Sequence, residues 1–138
     1  MKTKIIGFIL FAVVFTGCEE DSDFWHDHSG LYHPDCDVIS VQKFEKDPYH
    51  YFPRLRFIVR NDEDGATAYA VGGDIKFKVG NTIIERGVFS LGTLQRGESI
   101  VEEENLSRFN SHSEYTSCVI RIQWSDINGR IYEKVVYR

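Results

Sequence analysis

Two short runs carry most of the groups that could do chemistry. The first is Trp25-His26-Asp27-His28-Ser29-Gly30-Leu31-Tyr32-His33-Pro34-Asp35-Cys36, with three of the chain's five histidines, two carboxylates and a thiol. Such donors suit Zn²⁺ or Cu²⁺ when they converge. His26 and His28 fall on opposite sides of an extended chain, so convergence with His33 needs a turn, which Gly30 or Pro34 would supply. The run lacks the regular ligand pairs of a structural zinc site. It is therefore expected to be a polar extension, with His26, His28 and His33 only weak metal candidates and no resident metal. The second run is Asp47-Pro48-Tyr49-His50-Tyr51-Phe52-Pro53, in which Tyr49, Tyr51 and Phe52 lie between two prolines. Rings on a stiff loop can stack on sugars or pack on a partner, but the expectation here is that they cap the end of the domain. Asp62-Glu63-Asp64-Gly65 and Asp126-Ile127-Asn128-Gly129 faintly resemble calcium loops. Neither has the full alternating ligand set, and both are expected to be turns.

Catalytic patterns are missing. The chain has no Gly-x-Ser-x-Gly, no HExxH and no glycine-rich phosphate loop. A non-enzymatic protein without a cofactor is the expectation. At 138 residues, one domain is the default. Apolar residues make up 42% of the chain, enough for a core, and the net charge of −5 disfavours a nucleic-acid partner.

The elements that would position these groups begin after a leader. Lys2 and Lys4 precede the uncharged stretch Ile5 to Phe15, which is too short to span a bilayer as a helix and has the form of a secretory signal. It ends Phe15-Thr16-Gly17-Cys18, which resembles the lipobox of bacterial lipoprotein precursors. The resemblance implies removal of residues 1–17 and acylation of Cys18, which would anchor the mature chain in a membrane. Residues 19–37 then hold seven carboxylates and no Lys or Arg, whereas residues 38–138 hold fourteen of each sign. An acidic tether over residues 18–37 and a neutral domain over 38–138 follow. The run Glu19 to Asp23 is similar to the segment that directs some Gram-negative lipoproteins to the cell surface. The implied location is the outer membrane, facing either outward or the periplasm.

Within the domain the apolar pattern has period two. Leu55, Phe57 and Val59 alternate with Arg54, Arg56 and Arg60. Ile75, Phe77 and Val79 alternate with lysines, and Cys118, Ile120, Ile122 and Trp124 alternate with Arg121 and Gln123. Each set predicts a strand with one face inward. Val38 to Phe44 and Ile131 to Tyr137 are the expected first and last strands. Asn61 to Gly65, Gly80-Asn81, Arg96-Gly97 and Ser125 to Gly129 supply turns. Glu102 to Leu106 is expected to be a charged strand end or loop. About seven short strands with polar turns predict an all-β, two-sheet antiparallel sandwich of the immunoglobulin-like kind.

Phe57-Ile58-Val59-Arg60-Asn61 followed by Ala68-Tyr69-Ala70-Val71 resembles the second and third strands of bacterial immunoglobulin-like domains of the CARDB and FxLYD type. Leu91-Gly92-Thr93-Leu94-Gln95-Arg96-Gly97-Glu98-Ser99 is similar to their Leu-x-x-Leu-x-x-Gly-Glu-Ser segment. That resemblance implies an extracytoplasmic accessory or binding module and no catalysis. With Cys18 lipidated, Cys36 and Cys118 form a candidate disulfide pair. Topology opposes the bridge, because the first and sixth strands of such a sandwich start at opposite ends. The leading functional expectation is a protein-binding or assembly module of the cell envelope. The alternatives are a carbohydrate-binding accessory lipoprotein using Tyr49, Tyr51 and Phe52, and a metal-handling lipoprotein using the His26 to His33 run.

Overall fold

The computed structural model describes His33–Arg138 with the exception of Asp64. Among the described residues there are seven strands: β1 (Cys36–Phe44), β2 (Arg54–Asn61), β3 (Ala68–Val79), β4 (Thr82–Leu94), β5 (Ser99–Asn105), β6 (Ser117–Ser125) and β7 (Ile131–Tyr137). A single 3₁₀ turn, His112–Glu114, interrupts the β5–β6 connection. The strands form two antiparallel sheets, ordered β1-β2-β5 and β4-β3-β6-β7. This is the all-β, immunoglobulin-like sandwich that the alternation predicts.

The core follows from the period-two faces. Leu55, Phe57 and Val59 of β2 meet Ile75 and Phe77 of β3 and Cys118, Ile120, Ile122 and Trp124 of β6, all buried. Burying each large side chain contributes about 1.5–3 kcal/mol. Phe57 packs edge-on against Phe89, and Phe77 against Tyr115 and Phe109, at centroid distances of 5.1, 5.2 and 6.2 Å. Val79 departs from the expected inward set and is largely exposed, because β3 runs out of the sandwich past the register shift at Phe77/Lys78. Upstream, Ala68 and Val71 are both buried although three residues apart. A bulge at Ala70, which has φ 50, supplies the change of phase. Beside it a Cβ at Gly73 would collide with the Arg121 carbonyl, so only glycine fits there.

Connectivity gives the molecule two ends. The starts of β1, β3, β5 and β7 lie at one end, here the entry end. The starts of β2, β4 and β6 lie at the other, the far end. At the entry end Asn61 is fully buried. Its amide nitrogen donates to the carbonyls of Ala66, Leu94 and Gln95 at 2.7, 3.1 and 3.3 Å. Its side-chain oxygen accepts from Asp35 N at 3.2 Å. Its backbone pairs with Glu98 and with Gly97, whose φ of 72 lets the chain reverse. A residue read as a turn former is thus a buried knot joining four segments.

The domain also starts earlier than residue 38. Pro34 is fully buried and its carbonyl accepts Trp124 Nε1–H at 2.8 Å. Pro34, Cys36 and Val38 point inward while Asp35 and Asp37 point out to Lys134, at 3.2 and 3.4 Å. Residues 33–37, expected at the end of the tether, therefore belong to the sandwich. Their carboxylates suit an outward face just as well as a leash.

Cys36 and Cys118 are both buried free thiols. Cys36 opens β1 at the entry end. Cys118 sits at the far end, near Lys43 and Arg138. A strand of nine residues spans about 25 Å, whereas a disulfide needs Cα atoms within about 7 Å. The candidate bridge is thus ruled out by the opposed ends of the sandwich. Burial pushes each thiol up to about 12, which suppresses the thiolate at neutral pH.

Two outcomes test this architecture. Asn61→Ala leaves three carbonyls and one N–H without their partner and should cost about 3 kcal/mol in denaturant unfolding. A loss below ~0.5 kcal/mol would mean the knot is dispensable. Alkylation should spare Cys36 and Cys118 in native protein and modify both in denaturant without reductant. Failure of both to react when unfolded would show a bridge.

Candidate functional site

The far end of the sandwich holds the second chemistry-bearing run, in the β1–β2 connection. Asp47 organises it. The Asp47 Oδ1 atom accepts the backbone N–H groups of Tyr49 and His50, both at 2.8 Å, and lies 3.0 Å from His50 Nδ1. The backbones of Asp47 and His50 exchange two further bonds, at 3.1 and 3.2 Å. The Tyr49 amide, then the His50 ring, hold the Asp47 carboxyl below its ordinary 3.8. This is a side-chain-closed turn whose first central residue, Pro48, has its φ preset.

The turn presents rings outward. Tyr49 and Tyr51 are 91% and 86% exposed, so neither caps the core. Phe52 is half-buried and meets Tyr51 edge-on at 5.1 Å. Beneath the loop, Arg54 is buried and reaches Glu103 at 3.2 Å and Asp47 at 3.8 Å. The guanidinium groups of Arg54 and Arg56 lie 5.3 and 4.8 Å from the Phe44 ring centre.

The β5–β6 connection forms the opposite wall. His112 is the rivet. Its Nε2 lies 3.1 Å from the Phe44 carbonyl and 3.0 Å from that of Arg54, so the proton sits on Nε2 and is shared between them. The Nδ1 atom is then left to accept Tyr115 O–H at 2.8 Å. Burial pushes the Tyr115 phenol up to about 12. Carboxylates cap the free N–H groups of this connection. Glu45 accepts His112 N at 3.1 Å, Glu114 accepts Asn110 N at 2.9 Å, and Glu85 accepts Ser107 N and Arg108 N at 2.8 and 3.0 Å. Between the walls lies a cleft of about 370 Å³, lined by Lys46, Tyr51, Phe52, Ser107, Arg108 and Asn110, with Asp47, His50 and Phe109 completing it.

The other expected residues lie elsewhere. Cys18, His26 and His28 fall outside the described residues. His33 is at the entry end, its Nδ1 3.0 Å from Tyr132 Oη, which donates to Asp126 at 3.1 Å. Among the described residues no group of three or more His, Cys, Asp or Glu is placed to hold a metal ion. The Asp126 turn closes on its own N–H donors, with Gly129 at φ 80. A second cleft of about 330 Å³ at the entry end is lined by Asp35, Asp37, Arg60 and Glu63, and its charges pair with Lys134 and with one another.

The sequence singles out Tyr49, Tyr51 and Phe52 but not Lys46, Arg108, Asn110 and His112, which the fold brings to the same end of the sandwich. A histidine three residues before a tyrosine was the available signal for the last. The cations carry no local signal, because the fold alone brings residues 46 and 108 to one cleft.

Strand edges vary in their fitness to receive a partner strand. On β5 the inward positions include Glu102 and Glu104. Desolvation, then Glu85 and Glu102, raise the Glu104 carboxyl, whose side chain lies over Gly87. Inward charge of this kind protects an edge. A bulge between Val38 and Ser40 breaks β1. On β4, Ile83, Ile84 and Val88 remain exposed.

Together the fold and the site define a class: a seven-stranded antiparallel sandwich bearing a side-chain-closed aromatic turn beside a polar cleft at one end. No family model, curated protein or solved structure matches the chain.

The turn should depend on ionised Asp47. Because its value is lowered on folding, its contribution is complete above the ordinary 3.8 and is lost as pH falls through the lowered value. Hydrogen exchange at Tyr49 and His50 amides should accelerate in Asp47→Ala. In the wild type it should rise, relative to a free peptide, as pH drops below ~3.8. Unchanged protection in the variant would remove Asp47 as the organiser.

Proposed function

We propose that this chain is a lipid-anchored protein of the bacterial cell envelope, and that its sandwich is a non-catalytic binding module whose recognition end is the Tyr49–Tyr51 turn. One observation carries the reading. Two large rings are held out in water by a turn that Asp47 closes, and they contribute almost nothing to the core. Exposed rings on a preorganised loop lose little entropy on binding, which is how aromatic anchors gain affinity.

The chain's direction supports the same reading. Residues 33–36 enter at the end of the sandwich opposite the aromatic turn. An anchor at Cys18, as the Phe15-Thr16-Gly17-Cys18 resemblance implies, would act through that entry end. The turn would then face away from the membrane. Two acyl chains give stable attachment at about 0.8 kcal/mol per buried CH₂. A protein partner that added a strand could use β4, an edge of the larger sheet on which Ile83, Ile84 and Val88 are exposed.

A double variant, Tyr49→Ala with Tyr51→Ala, tests the reading. Its melting temperature should stay within about 2 °C of wild type, because exposed substitutions change stability by less than ~0.5 kcal/mol. Its binding in pull-downs and on glycan arrays should be lost. A large fall in melting temperature would return the rings to a structural role. Retained binding would move recognition to another surface.

A further inference from the structure

The two edges of the larger sheet are less guarded than those of the smaller one. Both carry exposed apolar residues: Val88 on β4, and Ile131, Val135 and Tyr137 on β7. Their backbones can be placed as well. Arg138 and Cys118 exchange both backbone bonds, at 2.8 Å each. Alternation then turns the N–H and C=O groups of Tyr132, Lys134 and Val136 toward β6 and leaves those of Ile131, Glu133 and Val135 on the open side. Carried through the β6–β3 and β3–β4 registers, the same alternation turns Glu85 and Gly87 toward β3 and leaves Arg86 and Val88 on the open side of β4.

These open positions share one face. Val88 is opposite Asp74 and Arg86 opposite Lys76, while Val135 is opposite Arg121 and Glu133 opposite Gln123, all on the outer surface of the sheet. Strand directions alternate along β4-β3-β6-β7, so β7 of one copy meets β4 of a second, equally oriented copy antiparallel. One register sets Glu133 opposite Arg86. In that register Ile131 falls opposite Val88, Lys134 opposite Glu85, and Val135 against exposed Ile83 and Ile84 at the β4 bulge. Apolar residues meet apolar ones and each charge meets its opposite. A slip of two residues either way sets Glu133 against Val88 or Ile84 and Arg86 against Val135 or Ile131. The neighbours favour the match. Arg86 stands beside a second cation, Lys76, and has no carboxylate within ion-pair distance among the described residues. Glu133 has Gln123 at 2.8 Å and Arg121 only at 3.9 Å. The smaller sheet is one strand narrower, which leaves room beside it when the larger sheet continues.

We propose that copies of this chain join edge to edge, β7 of one against β4 of the next, in the register that sets Glu133 opposite Arg86. The contact is head to tail, so each added copy leaves one β4 and one β7 open for further growth. This goes beyond the binding role of the aromatic turn and does not depend on it.

The test is oxidative cross-linking of single-cysteine variants of the full chain in mild detergent. Residues opposite each other in a hydrogen-bonded pair have Cα atoms about 5.5 Å apart, within reach of a disulfide. In one chain residues 88 and 131 lie three strand spacings apart, roughly 14 Å, so no bridge forms within a copy. Cys36 and Cys118 are buried and stay out of the reaction. A mixture of Val88→Cys and Ile131→Cys proteins should give a disulfide-linked dimer, mapped to those two positions by mass spectrometry. Neither protein alone should, and Ser90→Cys mixed with Ile131→Cys should give at least tenfold less. Both changes in one chain should give a ladder of dimers, trimers and larger species. Adding Arg86→Glu to the Val88→Cys protein should cut the yield about tenfold, as should adding Glu133→Arg to the Ile131→Cys protein. The two reversals together should restore it. Dimers of Val88→Cys alone or of Ile131→Cys alone would show a symmetric contact and overturn the proposal. So would equal yield from Ser90→Cys, no cross-link in any mixture, or charge reversals without loss and rescue.

Discussion

A single buried amide at Asn61 governs how this sandwich closes. Its side chain has three donor contacts and one acceptor contact at a point where water is excluded. Backbone carbonyls at strand ends are costly when buried without partners. Asn61 satisfies those of Ala66, Leu94 and Gln95 at once and pins the incoming chain at Asp35. An aliphatic residue would fill the volume and leave the carbonyls bare, and an aspartate would offer no donors. The entry end is therefore tied down, and the chain is committed to arriving there.

The far end is built on a different rule. No single buried amide holds it. Instead, carboxylates on one segment accept the N–H groups of the next: Asp47 within its turn, Glu45 to His112, Glu114 to Asn110, and Glu85 to Ser107 and Arg108. His112 then rivets β1 to β2 through two carbonyls. These carboxylates keep their negative charge, and Lys46 and Arg108 line the same end beside rings that the core does not need. On the outer face of the larger sheet the opposite arrangement holds. Buried Asp74 is pulled upward by desolvation, but Arg121 at 2.6 Å and Lys76 at 3.3 Å outweigh this and keep it ionised.

The sequence was legible where one face of a strand is apolar and the other is not. Leu55-Phe57-Val59 and Cys118-Ile120-Ile122-Trp124 declare their inward faces, and the sandwich follows from them. Pro34-Cys36-Val38 carries the same alternation, yet Asp35 and Asp37 made it look like tether, since charge count does not record which way a side chain points. Asn61 looked like a turn residue because asparagine usually is one. Its burial depends on carbonyls from two other segments and an N–H from a third. The strands β4 and β5 were the least visible. Their inward positions include Glu85, Gly87, Glu102 and Glu104, which break the apolar pattern.

The amino-acid sequence by itself determined the fold class and most of the turns, because these depend on period, propensity and residues near in the chain, whereas the exposure of Tyr49 and Tyr51 came from the structure. Tertiary structure alone decided the separation of Cys36 from Cys118, the convergence of Lys46 and Arg108, and the choice of Asn61 and His112 as fasteners. Each of these depends on which strand ends share a pole of the sandwich. That is set by sheet order and by burial of carbonyls distant in sequence, neither of which leaves a local mark.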